Sequence, residues 1–129
     1  MVDPHIVILG FLADDETLVA LTSSRIYAGR DVPPVGYKPS DGACVVFRVR
    51  GGGPDYDDAL LNPSVQFKCY SEDEVAAFAV YQALYDRLHN GYSAAILHAE
   101  SEVLGQLLEE PDTEWRFVLA YFLVQIKQS

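Results

Sequence analysis

Bases and cysteines are both scarce in this chain. Two cysteines in 129 residues are too few for a disulfide framework or a four-ligand zinc site. Nine bases stand against 19 acids, a net charge of -10, which argues against sequence-wide affinity for a nucleic acid backbone or an anionic membrane. No run approaches the ~18 uncharged apolar residues of a transmembrane helix. The opening Met1-Val2-Asp3-Pro4 carries an acid and no base, unlike a secretory signal. Internal repeats, low-complexity tracts and linkers are missing too.

Catalytic signatures are equally thin. His5, His89 and His98 share no metal spacing with one another or with a Cys or carboxylate on one helix face. They read as surface or cap residues, and His89 suits a helix C-terminus by charge. Gly51-Gly52-Gly53 has no following Lys-Ser/Thr and opens no helix, so it is not a phosphate loop. Asp55, Asp57 and Asp58 lack the Gly and distal Glu of a calcium-binding loop. No nucleophile has a base partner. The sequence implies no enzyme, no metal and no cofactor.

What remains is half hydrophobic and 22% charged, the balance of one globular domain over residues 1–129. Asp3 and Pro4 suit the start of a helix running to about Ala13. Asp14-Asp15-Glu16 starts a second, to about Leu21. Arg25-Ile26-Tyr27 is a short strand, and Gly29 to Gly42 is irregular by its prolines and glycines. Ala43 to Arg50 alternates as a strand, with Val45, Phe47 and Val49 on one side. Gly51-Gly52-Gly53-Pro54 stops it. Ser64 to Tyr70 returns, with Val65, Phe67 and Cys69 on one side. If those two triplets share a face, paired positions sum to an even number, Cys44 and Cys69 point oppositely, and no cross-strand disulfide forms. Reduced thiols fit a cytosolic origin. The intervening loop, about Gly51 to Pro63, is too long for a tight hairpin.

Ser71 and Glu74 have the spacing of a capping box for a helix to about His89. Its stripe is Phe78, Tyr81, Tyr85 and Leu88, and Asn90-Gly91 ends it. Ala94 to about Leu108 and Trp115 to about Lys127 form a last strand pair. After the N-terminal helix the order is strand pair, helix, strand pair. The fold class is α+β, with an antiparallel sheet and helices packed on one face.

The last strand is apolar on both sides. Trp115, Phe117, Leu119, Tyr121 and Leu123 share one face; Val118, Ala120, Phe122, Val124 and Ile126 share the other. Two principal helical segments cover one face of a sheet, so the surplus predicts a partner surface, unless the N-terminal helix or the Pro-rich segment roofs it. Trp115, Phe117, Tyr121, Phe122 and Val124 are the candidate subunit contacts.

The chain resembles the tail-terminator, or tail-completion, proteins of long-tailed bacteriophages. The resemblance rests on an ordered series of pieces. Leu12-Ala13-Asp14-Asp15 leads to Leu18-Val19-Ala20-Leu21, then Ser24-Arg25-Ile26-Tyr27 steps into Pro33-Pro34. The strand Cys44-Val45-Val46-Phe47 follows, then Phe67-Lys68-Cys69-Tyr70-Ser71 before the long helix. Asp112-Thr113-Glu114-Trp115-Arg116-Phe117-Val118 opens the closing strand. The acidic loop at Gly51 to Pro63 departs from the family. The resemblance implies a structural virion protein of the tail neck, made in the host bacterial cytoplasm. Such a protein forms a ring, usually of six subunits, that caps the tail tube, ends its growth and meets the head-side connector or stopper. It implies no cofactor and no catalysis.

Six copies of net charge -10 put about -60 around a channel, which lets DNA pass without specific binding. Glu100, Glu102, Glu109 and Glu110 are the candidate lining. Asp55, Tyr56, Asp58, Leu60 and Leu61 of the long loop are the candidate contact with the tube or a neighbour. Two rivals are a head-side neck protein (a stopper or adaptor) and a small cytosolic enzyme or ligand-binding α+β domain. The second would need a pocket of converging polar groups.

Overall fold

The computed structural model describes residues 3–54 and 60–127. Its elements are helices α1 (Pro4–Ala13), α2 (Glu16–Thr22) and α3 (Glu74–Leu88), and strands β1 (Ile26–Ala28), β2 (Cys44–Pro54), β3 (Leu60–Tyr70), β4 (Ile96–Glu109) and β5 (Arg116–Lys127). They build one α+β layer pair, with a five-stranded sheet in the order β1-β2-β3-β5-β4. The sheet is mixed rather than purely antiparallel, because β1 runs parallel to β2. A parallel neighbour needs a crossover of about a dozen residues or more. The Pro-rich segment from Gly29 to Ala43 is that crossover.

Local sequence explains most element ends. Asp3 caps α1 by accepting the His5 N–H at 2.9 Å, and Asp15 caps α2 by accepting the Leu18 N–H at 3.0 Å. The capping box at Ser71 and Glu74 does not form. Asp73 takes the cap and accepts the Ala76 N–H at 2.8 Å. Glu74 instead holds Arg116 at 2.7 Å. An Asp caps as well as a Ser, and Ser71 is buried directly after β3. The buried side of α3 is Ala77, Val80, Ala83, Leu84 and Leu88, so Phe78 lies at the margin of the expected stripe, partly exposed. Asn90, at φ 61°, turns the chain out of the helix as its type allows.

The glycines do not stop β2. Its pairing with β3 continues through Gly51↔Ser64, Gly52↔Pro63, Gly53↔Asn62 and Pro54↔Leu61, past a register shift after Val49. An antiparallel ladder can carry glycines when its partner strand also continues, at a cost in chain entropy. Leu60 and Leu61 are therefore strand residues, and Leu61 is buried in the core. Asp55, Tyr56 and Asp58 lie outside the described residues.

Two histidines close exposed ladder positions. The His5 Nε2 accepts the Val49 N–H at 3.2 Å where β1 no longer covers β2, and its Nδ1 lies 3.2 Å from Asp3. The His89 Nδ1 accepts the Ser101 N–H of β4 at 3.1 Å, beside the Asn90 N–H donated to Ala99 at 2.7 Å. His89 thus serves the backbone of a strand edge as well as ending the helix.

The main core lies between the helices and one sheet face. Phe47, Phe67 and Phe122 cross its centre, with ring centroids 5.3 Å and 5.5 Å apart. Val118, Ala120, Phe122, Val124 and Ile126 are all fully buried there. Phe122 and Val124, expected among subunit contacts, are covered by the chain's own helices. Strand alternation fixes their face, and residues 117, 119, 121 and 123 take the other. Gly105 admits α3 to the sheet: a Cβ there would come within 2.8 Å of Tyr81 and 2.7 Å of Val118.

The two faces of β5 should respond differently to truncation. Phe122→Ala should lose about 3–5 kcal/mol of unfolding free energy. Tyr121→Ala, on the half-open face, should lose about 1 kcal/mol. Urea unfolding of both variants reads the difference, and equal losses would refute the assignment of faces.

Candidate functional site

The second sheet face is divided into a roofed end and an open end. Over the roofed end lies a small core of Tyr37, Cys44, Val46, Tyr70 and Phe117, flanked by Tyr27, Trp115 and Leu119. Tyr37 comes from the crossover, so the Pro-rich segment supplies much of the roof. Phe117 is consequently buried and Trp115 half-buried. Of these two expected subunit contacts, Phe117 is taken up inside the chain and Trp115 only in part.

A polar staple fastens this roof. Asp31 of the crossover accepts a hydrogen bond from Gln66 Nε2 at 2.9 Å and lies 3.4 Å from Lys68 and 3.5 Å from Arg48. Lys68 is nearly buried between Asp31 and Glu110, at 3.5 Å from the latter, and its ammonium stands 4.9 Å from the Phe117 ring centre. Glu110 also accepts the Tyr70 hydroxyl at 2.5 Å. The Gln66 hydrogen bond, with Lys68 and Arg48 beside it, holds the Asp31 carboxyl below its ordinary value of 3.8. Burial pushes the Tyr70 hydroxyl far up, and the bond to Glu110 adds to it.

Beside the staple the roof leaves a cleft of about 270 Å³. It is lined by Val32 to Tyr37 of the crossover, by Glu110, Asp112, Thr113 and Trp115 around the β4–β5 turn, and by Tyr70. Tyr37 and Tyr70 both meet the Trp115 ring edge-on, at 5.7 Å and 6.4 Å. The Tyr37 hydroxyl donates to the Gly42 carbonyl at 2.6 Å.

The open end carries Leu119, Tyr121 and Leu123, each half-buried. Arg50 crosses it, with its guanidinium 4.0 Å from the centre of the Tyr121 ring. It donates to Ser64 Oγ at 2.9 Å and reaches Glu102 at 3.4 Å. Ser64 donates to the same Glu102 oxygen at 2.5 Å. Next to this face β4 is the sheet's outer strand, with Leu97, Leu104 and Leu108 exposed.

The four candidate lining acids do not form one wall. Glu100 is exposed near His98, and Glu102 is drawn to Arg50. Glu109 stands opposite Arg116, and Glu110 belongs to the staple. Adjacent acids at 109 and 110 necessarily diverge at a strand end. The staple itself was not anticipated from the sequence. Its one signal was the alternation that puts Gln66 and Lys68 opposite the apolar Val65, Phe67 and Cys69, on the face where the last strand carries Leu119 and Tyr121.

Cys44 and Cys69 sit on opposite faces because Val45 pairs with Cys69, an even sum. Burial pushes the Cys44 thiol up to about 11, and Cys69 higher still. Neither is a thiolate near neutral pH. Among the described residues no group of three or more His, Cys, Asp or Glu could hold a metal ion. No helix described is long and apolar enough to cross a membrane.

No family model matches the chain, and no curated protein sequence matches it. Its fold is shared with a chain from the virion of a native gene transfer agent particle. The TM-score is 0.60 at 16% identity, over 93% of this chain and 91% of that one.

The staple has a pH signature. A lowered carboxyl pKa means that ionised Asp31 stabilises the fold above its ordinary value, and that this contribution fades as pH falls through the lowered pKa. Asp31→Asn should therefore cost about 1 kcal/mol near neutral pH. The difference from the parent should shrink well below pH 3.8. Urea midpoints across that range measure it, and a gap that stays constant with pH would remove the staple's ionic part.

Proposed function

We propose that this chain is a structural virion protein whose copies close into a ring, hexameric in the manner of tail terminators, at the end of a phage-type tail tube. The ring ends tube growth and offers a joining surface to the head-side connector or stopper. The observation that carries this reading is the fold shared end to end with a chain of a gene transfer agent virion. The ordered pieces resembling tail terminators, from Leu12-Ala13-Asp14-Asp15 to Trp115-Arg116-Phe117-Val118, add the finer assignment to the tail neck. No catalytic step is proposed.

The geometry also supplies unlike surfaces for such a ring. The sheet ends in the long strand β4 on one side. On the other, three-residue β1 leaves the hairpin end of β2 uncovered. A contact between two different edges is heterologous, and a heterologous contact closes into a ring when its rotation permits. Leu119, Tyr121 and Leu123 would be buried beside such a contact. Phe122, Val124 and Phe117 belong to the subunit's own interior. Glu100 and Glu102, on the open face, are the acids left for a channel wall. Asp55, Tyr56 and Asp58 are the residues proposed to touch the tube or a neighbouring subunit.

Electron microscopy of the purified protein should show closed rings. Tyr121→Asp with Leu119→Asp should weaken their assembly by roughly tenfold or more, since a buried charge without a partner is expensive. Replacing Asp55, Tyr56 and Asp58 by serine should leave rings intact and reduce binding to tail tubes. Isolated subunits at all concentrations, or rings that bind portal assemblies and not tubes, would overturn the tail-terminator assignment.

A further inference from the structure

The cleft between the crossover and the β4–β5 turn is a built site that the ring reading does not use. Its lining is rich in aromatic rings and prolines, supplied by Pro33, Pro34, Tyr37, Tyr70 and Trp115. The tyrosine hydroxyls are already occupied, Tyr37 on the Gly42 carbonyl and Tyr70 on Glu110. Hydrogen bonding to those hydroxyls is therefore not how a ligand would be read. What the cleft does offer is charge of one sign: its lining contains Glu110 and Asp112 and no Lys or Arg among the described residues. Lys68 offsets part of the Glu110 charge, whereas Asp112 has no ion pair among the described residues. Val32 and Val35 stand exposed on the rim.

We infer that this cleft receives an arginine side chain carried on an extended segment of another protein. An arginine has an aliphatic stem for the prolines, a planar cation to set against the Trp115 ring, and charge for Asp112 and Glu110. A cleft of about 270 Å³ holds that side chain with part of its flanking backbone. Aromatic-lined grooves of this kind also favour extended, proline-flanked segments, which lose little entropy on docking. A second copy of this chain is a poor donor. Seven of its nine bases already hold hydrogen bonds or ion pairs within the subunit. The occupant is thus a different protein. This inference does not depend on ring formation, and its test reads the cleft alone.

The chain has one tryptophan, so intrinsic fluorescence reports on this cleft directly. The probe is an acetylated, amidated Pro-Arg-Pro tripeptide, titrated in parallel with its Pro-citrulline-Pro counterpart, which keeps the shape and removes the charge. The arginine peptide should give a saturable change in Trp115 emission and bind about tenfold more tightly than the citrulline peptide. Added salt should weaken it. Asp112→Asn, a change in an exposed turn, should weaken the arginine peptide several-fold and leave the citrulline peptide unchanged. Equal affinity for the two peptides, no saturable change with either, or an unaltered Asp112→Asn titration would each overturn the proposal.

Discussion

The constraint that organises this molecule is the burial of β5. A strand that is apolar on both faces has to be covered twice, and a chain of 129 residues has few elements to do it with. The helices take one face, with Phe122 at the centre. The second face is covered at one end only, by a crossover with little regular structure of its own. Such a segment buys its position with side-chain bonds, and Asp31, Gln66, Lys68 and Glu110 are those bonds. A nearly buried lysine set between two carboxylates is costly to desolvate, so this arrangement fixes position more than it adds stability. What it fixes is the line where roof ends and open sheet begins.

The regular elements were legible in the sequence because their signals are local. The cap at Asp3, the acidic helix start at Asp14-Asp15-Glu16, alternation in β2 and the stop at Asn90 each depend on residues within a turn or two. The opposed cysteines followed from parity alone. Misreadings arose where a local signal had a competitor. Ser71-Glu74 matches a capping box, but Asp73 lies between them and caps equally well. The triple glycine reads as a stop, yet β3 continues opposite it and the hairpin extends to Pro54 and Leu61. The parallel placement of β1 had no local signal, because it is decided by where a long crossover can return.

The functional surface was less legible for a related reason. Alternation assigns residues to two faces without saying which face the helices will choose. Phe122 and Val124 were therefore grouped with Tyr121, although they point the opposite way. The acids behave alike: Glu109 and Glu110 are neighbours in sequence, but one faces Arg116 and the other enters the staple. Charge excess is a property of the chain, whereas a channel wall is a property of directions. Only Glu100 and Glu102 share the open face, and Glu102 is partly neutralised by Arg50.

This division separates the demands of folding from those of assembly. The main core contains the three central phenylalanines and the helix contacts, and none of its members is needed at the open face. The small core under the crossover stands between them. It fixes Tyr37 and Trp115, which shape the cleft, while Phe117 anchors the adjoining strand below Leu119 and Tyr121. Loosening the crossover would therefore open the cleft and alter the border of the open face before it disturbed Phe122. A partner that seats in the cleft would do the reverse, holding the crossover against the sheet. The cleft wall and the border of the open face thus belong to one segment, which Asp31 and Lys68 fasten to the sheet.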